Sequence, residues 1–437
     1  YTTVQRYVAA FITEDKDDPK NLLFKKLLLK KAQSDPKDSW NILLSWMFMQ
    51  QHDYDKAFVQ EKSLFYRNPG NLERINQIAM LSYSNGDFDT AKEAFRFIIQ
   101  DKNELVTGSN TKLQAEIYLL KIEQELSDKV IGPEKINKKY LELLDQYSPG
   151  TPSPELQLAY AQFLTYGFDQ PEQAISRLEK ILPRAQSAFE KGMIQMEIAD
   201  ILVYTGQFNQ ALVLYTQIQY DLKNSTLAQE ARFKVARTSY FKGDFQWAQN
   251  QLKVLKSSTS QLIANDALEL SLKISNNSDK DSLNEGLKKF AKADLLGFQK
   301  KYKEAIDTLE TVLYQFKGQN IEDDALFKQA QLYSKIGNFT AAENNLLTIL
   351  DHHQESLFTD DALFNLQFLH RNLQFFGSKL EQYSPGFGSC STHVMTEFPG
   401  GERSPCPCII GAKKGVTHYH LNRFEGHVQL IGNLLGQ

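Results

Sequence analysis

Short apolar stretches alternate with polar ones along most of this chain, and the apolar positions recur every three to four residues. In "LAQEARFKVARTSYF", Ala228, Ala231, Val235 and Ser239 fall on one helical face. In "QWAQNQLKVL", Trp247, Ala248, Leu252 and Leu255 fall on another. Gly243 stands between the two stretches, where a left-handed residue would close the first helix. The pattern predicts two short helices joined by a tight turn.

The same punctuation recurs as a glycine, an aromatic two residues on, and an alanine three further. It appears in "GDFDTA" (Gly86, Phe88, Ala91), "GQFNQA" (Gly206, Phe208, Ala211), "GDFQWA" (Gly243, Phe245, Ala248) and "GNFTAA" (Gly337, Phe339, Ala342). "DYDKA" (Tyr54, Ala57) and "KYKEA" (Tyr302, Ala305) lack the glycine, and "GFDQPEQA", ending at Ala174, is a loosened copy. The alanines recur at nearly constant intervals. Ala57 to Ala91 is one interval, and Ala174 to Ala211, Ala211 to Ala248, and Ala305 to Ala342 are three slightly longer ones, equal to one another. Seven residues before each glycine is Ala79, Ala199, Ala236 or Ala330, with Ser45 and Ala293 in the glycine-free copies. One small residue on each helix is what close packing of a helix pair requires. "DDALF", at Asp323 and again at Asp360, begins the first helix of two successive units, with its carboxylates expected to cap the helix N-terminus.

These units resemble the tetratricopeptide repeat (TPR), a helix–turn–helix of about 34 residues whose copies stack. Pro69 falls where that repeat carries its terminal proline. The resemblance runs from about Asp38 to Leu350 and implies an all-α, TPR-like α-solenoid forming a right-handed superhelix, with an irregular C-terminal tail. N-terminal helices are expected over 1–37, two repeats over 38–104, a degenerate helical pair over 105–150, repeats ending in an incomplete unit over 151–376, and the tail over 377–437. The interval from Ala248 to Ala305 exceeds one period by the length of one extra helix. The chain also looks like TPR scaffold proteins of the bacterial cell envelope, which implies a periplasmic or envelope location; the residues themselves leave the cytoplasm open.

Composition narrows the function. The chain has 437 residues, 42% hydrophobic and 23% charged, as in folded proteins with several cores or a repeat array. Net charge is −4, which provides no overall basic field for nucleic acid. No apolar run approaches the roughly 20 residues that span a bilayer. The start at Tyr1 reads as a processed, trimmed or partial chain. All three cysteines, 10 of the 23 glycines and 4 of the 8 histidines lie from Arg371 onward, so the tail differs in kind from the body. At the repeat's turn and small-residue positions the second "DDALF" unit carries Gln374 and Lys379. A shifted reading frame near 367–375 or a divergent C-terminal segment would explain this, with helices ending by about residue 376.

Candidate chemistry is sparse. Cys406, Cys408, His418 and His420 are zinc-ligand types, but a one-residue cysteine separation is tighter than structural zinc sites use. "GAKKG" lacks the length and the Gly-Lys-Ser/Thr end of a phosphate loop. Cys390 and His393 have no scaffold to set them as nucleophile and base. The body shows no acid–base or nucleophilic constellation, so no enzyme and no cofactor is expected. The resemblance implies that first helices line a concave groove, placing Met196, Asp200, Tyr204, Phe233, Arg237, Tyr240, Phe241, Phe327, Gln331 and Lys335 there. The plainer reading is that some of these pack against the neighbouring repeat. Asn76 and Met80 occupy the positions of the chaperone-binding carboxylate clamp, which disfavours that partner class. The expected role is a non-catalytic scaffold holding a peptide or partner helix. The alternatives are an architectural subunit of an envelope complex binding through its convex face, and metal binding by the tail.

Overall fold

A computed structural model describes residues 2–69, 72–101, 109–126, 132–147, 153–255, 260–278, 284–353, 356–367 and 369. The chain divides into two compact units, Tyr1–Arg184 and Ala185–Gln437. Secondary structure among the described residues is helical throughout.

The first unit holds α1 (Thr2–Val8), α2 (Pro19–Ser34), α3 (Asp38–Gln50), α4 (Tyr54–Arg67), α5 (Glu73–Ser84), α6 (Phe88–Gln100), α7 (Ser109–Leu126), α8 (Pro133–Tyr147), α9 (Pro154–Tyr166) and α10 (Pro171–Ile181), closed by a 3₁₀ turn at Leu182–Arg184. The second holds α11 (Ala188–Tyr204), α12 (Phe208–Asp221), α13 (Thr226–Lys242), α14 (Phe245–Leu255), α15 (Gln261–Asn276), α16 (Glu285–Phe298), α17 (Tyr302–Gln315), α18 (Ile321–Lys335) and α19 (Phe339–His352), followed by a helix over 359–367. Helices pack in consecutive pairs: α3/α4, α5/α6, α9/α10, α11/α12, α13/α14, α16/α17 and α18/α19.

One turn geometry makes these pairs. Gly86, Gly206, Gly243 and Gly337 are left-handed, with φ between 76° and 83°. The residue after each sends its N–H back to the last turn of the preceding helix: Asp87 to Ser82 O at 2.9 Å, Gln207 to Leu202 O at 2.7 Å, Asp244 to Ser239 O at 2.8 Å, and Asn338 to Tyr333 O at 2.9 Å. This is the Schellman closure, which ends one helix and aims the chain into the next. His52 (φ 55°), Asp169 (φ 52°) and Lys300 (φ 59°) adopt the same conformation where glycine is absent. Each of these left-handed residues lies five before the repeat's alanine. In the "GFDQPEQA" copy Gln170 reaches back six residues to Leu164 O instead of five, so its turn is one residue longer. Its buried small residue is correspondingly Ala161, one position earlier than the pattern sets.

The paired small residues meet where they must. Ser45 and Ala57, Ala79 and Ala91, Ala199 and Ala211, Ala236 and Ala248, Ala293 and Ala305, and Ala330 and Ala342 are all 0–2% exposed. Phe245, Leu252 and Leu255 bury beside Ala248, but Trp247 is 54% exposed. Its grouping with Ala248 on one packed face is therefore corrected: adjacent helical positions are about 100° apart, and only one can face the partner.

Two places depart from the pair. α7 and α8 make their aromatic contacts with the flanking helices: the Tyr118 ring stacks on Phe95 of α6 at 5.5 Å, and Tyr140 on Phe163 of α9 at 5.2 Å. Between α14 and α16 the extra helix is α15. It buries Ala267, Leu270 and Ile274 and is clipped to α14 by two bonds, Gln249 Nε2 to Ser271 O and Ser271 Oγ to Gln249 Oε1, both 2.7 Å.

Neither carboxylate of the first "DDALF" is an N-cap, which is Asn320 without a side-chain capping bond, but both lie in the helix's first turn. Helix α18 starts two residues earlier, at Ile321, and Asp323 serves its N-terminal turn, accepting the Asp324 N–H at 2.8 Å. Asp324 is turned inward and accepts Asn277 Nδ2 at 2.7 Å. In the second copy Ala362 and Leu366 pack with Ala330, Ala342 and Leu346, so this stretch begins a helix stacked on the preceding pair. The expected end of helical order near residue 376 and the tail candidates Cys406, Cys408, His418 and His420 lie outside the described residues.

Candidate interaction face

Within the second unit the first helices of successive pairs touch in order: α11 with α13, α13 with α16, and α16 with α18. Their shared face carries charged groups at repeat-related positions. Asp200 lies six residues before its left-handed glycine, and Lys234, on the next first helix, lies nine before its own. The two pair at 2.5 Å. Asp294 and Lys328 occupy the same two positions on α16 and α18 and pair at 2.7 Å. The match follows from the helix stacking: equal offsets from equivalent turns bring equivalent positions opposite one another.

Both carboxylates have further partners. Asp200 also accepts the Tyr215 hydroxyl at 2.6 Å. Asp294 accepts the Tyr240 hydroxyl at 2.9 Å and faces Lys273 of α15 at 3.8 Å. Burial pushes the Asp294 carboxyl up, but Lys328 and Lys273 outweigh that and hold it at about 2. Burial opposes the Lys234 ammonium, yet Asp200 and Glu230 raise it. Asp324, beside this cluster, has weaker compensation: burial lifts it to about 7 against the pull of Lys273 and Asn277, with Asp323 and Asp294 adding to the rise.

The residues expected on a groove separate into three groups. Tyr240 and Met196 are 1% and 5% exposed, so neither is available to a partner. Tyr240 instead anchors Asp294, a polar use that its place in an aromatic run did not reveal. Asp200 and Phe327 are half-buried and already used, Asp200 as above and Phe327 stacked on Phe358 at 4.7 Å. Tyr204, Phe233, Arg237 and Phe241 are half-buried on the face, and Gln331 and Lys335 are exposed, with the Lys335 ammonium 5.6 Å from the Tyr302 ring centre. Sequence reasoning missed Lys234, Asp294, Phe298 and Lys328. An Asp six before, and a Lys nine before, the left-handed position would have marked three of them.

Among the described residues no three or more His, Cys, Asp or Glu side chains converge to hold a metal ion, and no helix is long and apolar enough to cross a membrane. The helix pairs, their left-handed turns and their buried small residues define the class: this is an all-α protein built as a TPR-like helical-repeat solenoid. No protein-family model and no curated protein matches the chain. Solved structures similar to it include a monomeric mutant of IFIT1 with Gppp-AAAA, at 15% identity and TM-score 0.32, covering 83% of this chain and 80% of that one. The TPR domain of P58(IPK) is 14% identical at TM-score 0.19, covering 77% of this chain and 99% of its own. Yeast Tom70 is 12% identical at TM-score 0.20, covering 87% and 97%.

Proposed function

We propose that the chain is a non-catalytic protein–protein interaction scaffold that holds a peptide or partner helix against the first-helix face of α11, α13, α16 and α18. The observation that carries this is the row of half-buried Tyr204, Phe233, Arg237, Phe241 and Phe298 on that face. Aromatic side chains and arginine, partly desolvated but still reachable, are what binding hot spots are made of. The resemblance to envelope scaffolds makes the bacterial envelope the first compartment in which to seek the partner.

A second reading has its own support. The outward positions of the second helices carry exposed Val213 and Tyr220 on α12 and Trp247 and Val254 on α14. Such residues suit an architectural subunit that docks through the opposite face. Selection of peptides from a random display library on the full chain separates the two. On the first reading, replacing Phe233 and Phe241 by alanine abolishes capture at unchanged helicity, while Tyr220→Ser with Trp247→Ser has no effect. The reverse pattern would transfer the site to the second helices.

A further inference from the structure

The ladder of ion pairs across the first helices is interrupted at one step, and the interruption is on the face just described. Arg237 of α13 occupies the position held by Asp200 in α11 and Asp294 in α16, six residues before its left-handed turn residue. At the partner offset on α16, nine residues before Lys300, where α13 and α18 carry Lys234 and Lys328, the sequence has Ala291, which is buried. The charge at the first position is therefore reversed and its counter-charge is missing. Among the described residues Arg237 takes part in no ion pair and donates no hydrogen bond to a side chain. The two carboxylates of the ladder are held by other groups, Asp200 by Lys234 and Tyr215, and Asp294 by Lys328, Lys273 and Tyr240.

The guanidinium is nevertheless held in place. It lies 5.2 Å from the Phe298 ring centre and 5.9 Å from that of Phe233. Contact with aromatic rings keeps a guanidinium close to the protein surface while its N–H groups remain able to donate, and a planar pair of donors matches a carboxylate.

We infer that Arg237 is an unfilled rung of the ladder, and that an Asp or Glu side chain of the bound partner fills it. The inference rests on the first-helix face being the binding face and names the partner's chemistry there: an acidic segment whose carboxylate reaches between α13 and α16. The Phe233, Phe241 and Phe298 rings flank that point and would receive apolar side chains on either side of the acidic one.

The test uses the full chain and dodecapeptides selected from a random display library, synthesised with amidated C-termini so that only side chains supply carboxylates. Selected peptides should share an Asp or Glu, and replacing it by Asn or Gln should weaken binding roughly tenfold, the scale of one charge-assisted contact. Arg237→Gln should produce the same loss and abolish the discrimination between the acidic peptide and its amide counterpart, whereas Arg237→Lys should restore part of it. Peptides that bind with no acidic residue, or that bind Arg237→Gln as tightly as the unaltered chain, would overturn the inference and leave the face as the site. A library that yields no peptide sensitive to Phe233 and Phe241 would remove the face itself, and the rung with it.

Discussion

Single residues control this fold at the turns. The repeat needs a left-handed residue five positions before its alanine, and a residue other than glycine pays a steric penalty of about 1–2 kcal/mol there. A methyl group built on Gly206 meets nothing within 4 Å, so the effect of Gly206→Ala is conformational alone. Chemical denaturation should show it destabilised by about 1 kcal/mol. Lys300→Gly should shift stability the opposite way, by less, because glycine also loses more freedom on folding. The buried carboxylates supply a second residue-scale prediction. Asp324 is raised to about 7 from an ordinary value of 3.8, so between those values the unfolded chain has released a proton that the folded chain retains. Its stabilising effect is complete at acidic pH and is lost as pH rises towards 7. Asp294, held at about 2, acts with the opposite sign: its contribution is present above 3.8 and is lost as pH falls towards 2. Melting temperature should therefore decline from pH 4 to pH 8, and Asp324→Asn should flatten that limb while leaving the acid limb in place. A wild-type melting temperature that rises over pH 4 to 8 would contradict the assignment.

At the scale of elements, the contact between the two helices of a pair is set by its smallest side chains. Ala236 and Ala248 are both 0% exposed where α13 meets α14. Ala248→Leu inserts three heavy atoms into a contact with no room for them and should cost about 1–3 kcal/mol, read as a lower denaturation midpoint at unchanged slope. In α7 and α8 stacked rings instead tie each helix to its outer neighbour, Tyr118 to Phe95 of α6 and Tyr140 to Phe163 of α9. The extra helix α15 depends on polar attachments as well as packing. The Gln249–Ser271 clip and the Asn277–Asp324 bond give buried polar groups hydrogen-bond partners. The hairpin's helices, turn and packing sites were legible because they recur, and recurrence separates a weak signal from chance. The ladder was not legible, since Asp200 and Lys234 lie a whole repeat apart in the chain and become neighbours only when two first helices stack.

For the molecule as a whole, the repeat logic makes energetics local. Ala91, on α6 in the first unit, and Ala248, on α14 in the second, contact different neighbours and share no buried partner. Ala91→Leu and Ala248→Leu should therefore have additive effects, to within about 0.5 kcal/mol, in a double variant. A large coupling energy would mean that the two sites communicate beyond nearest neighbours. By itself the amino-acid sequence determined the helical class, the hairpin unit, its turn positions and the small residues at each helix contact, because each depends on neighbours within about one repeat. Tertiary structure alone decided which aromatics are reachable, since the pattern that marks a first helix also marks its inner side: Tyr240 and Phe241 are adjacent in the chain, yet one holds Asp294 in the interior and the other lies half-exposed on the face. It also decided that Arg237 lacks a counter-charge, because whether a charge is paired depends on what stacking brings beside it, and here stacking brings the Phe298 ring.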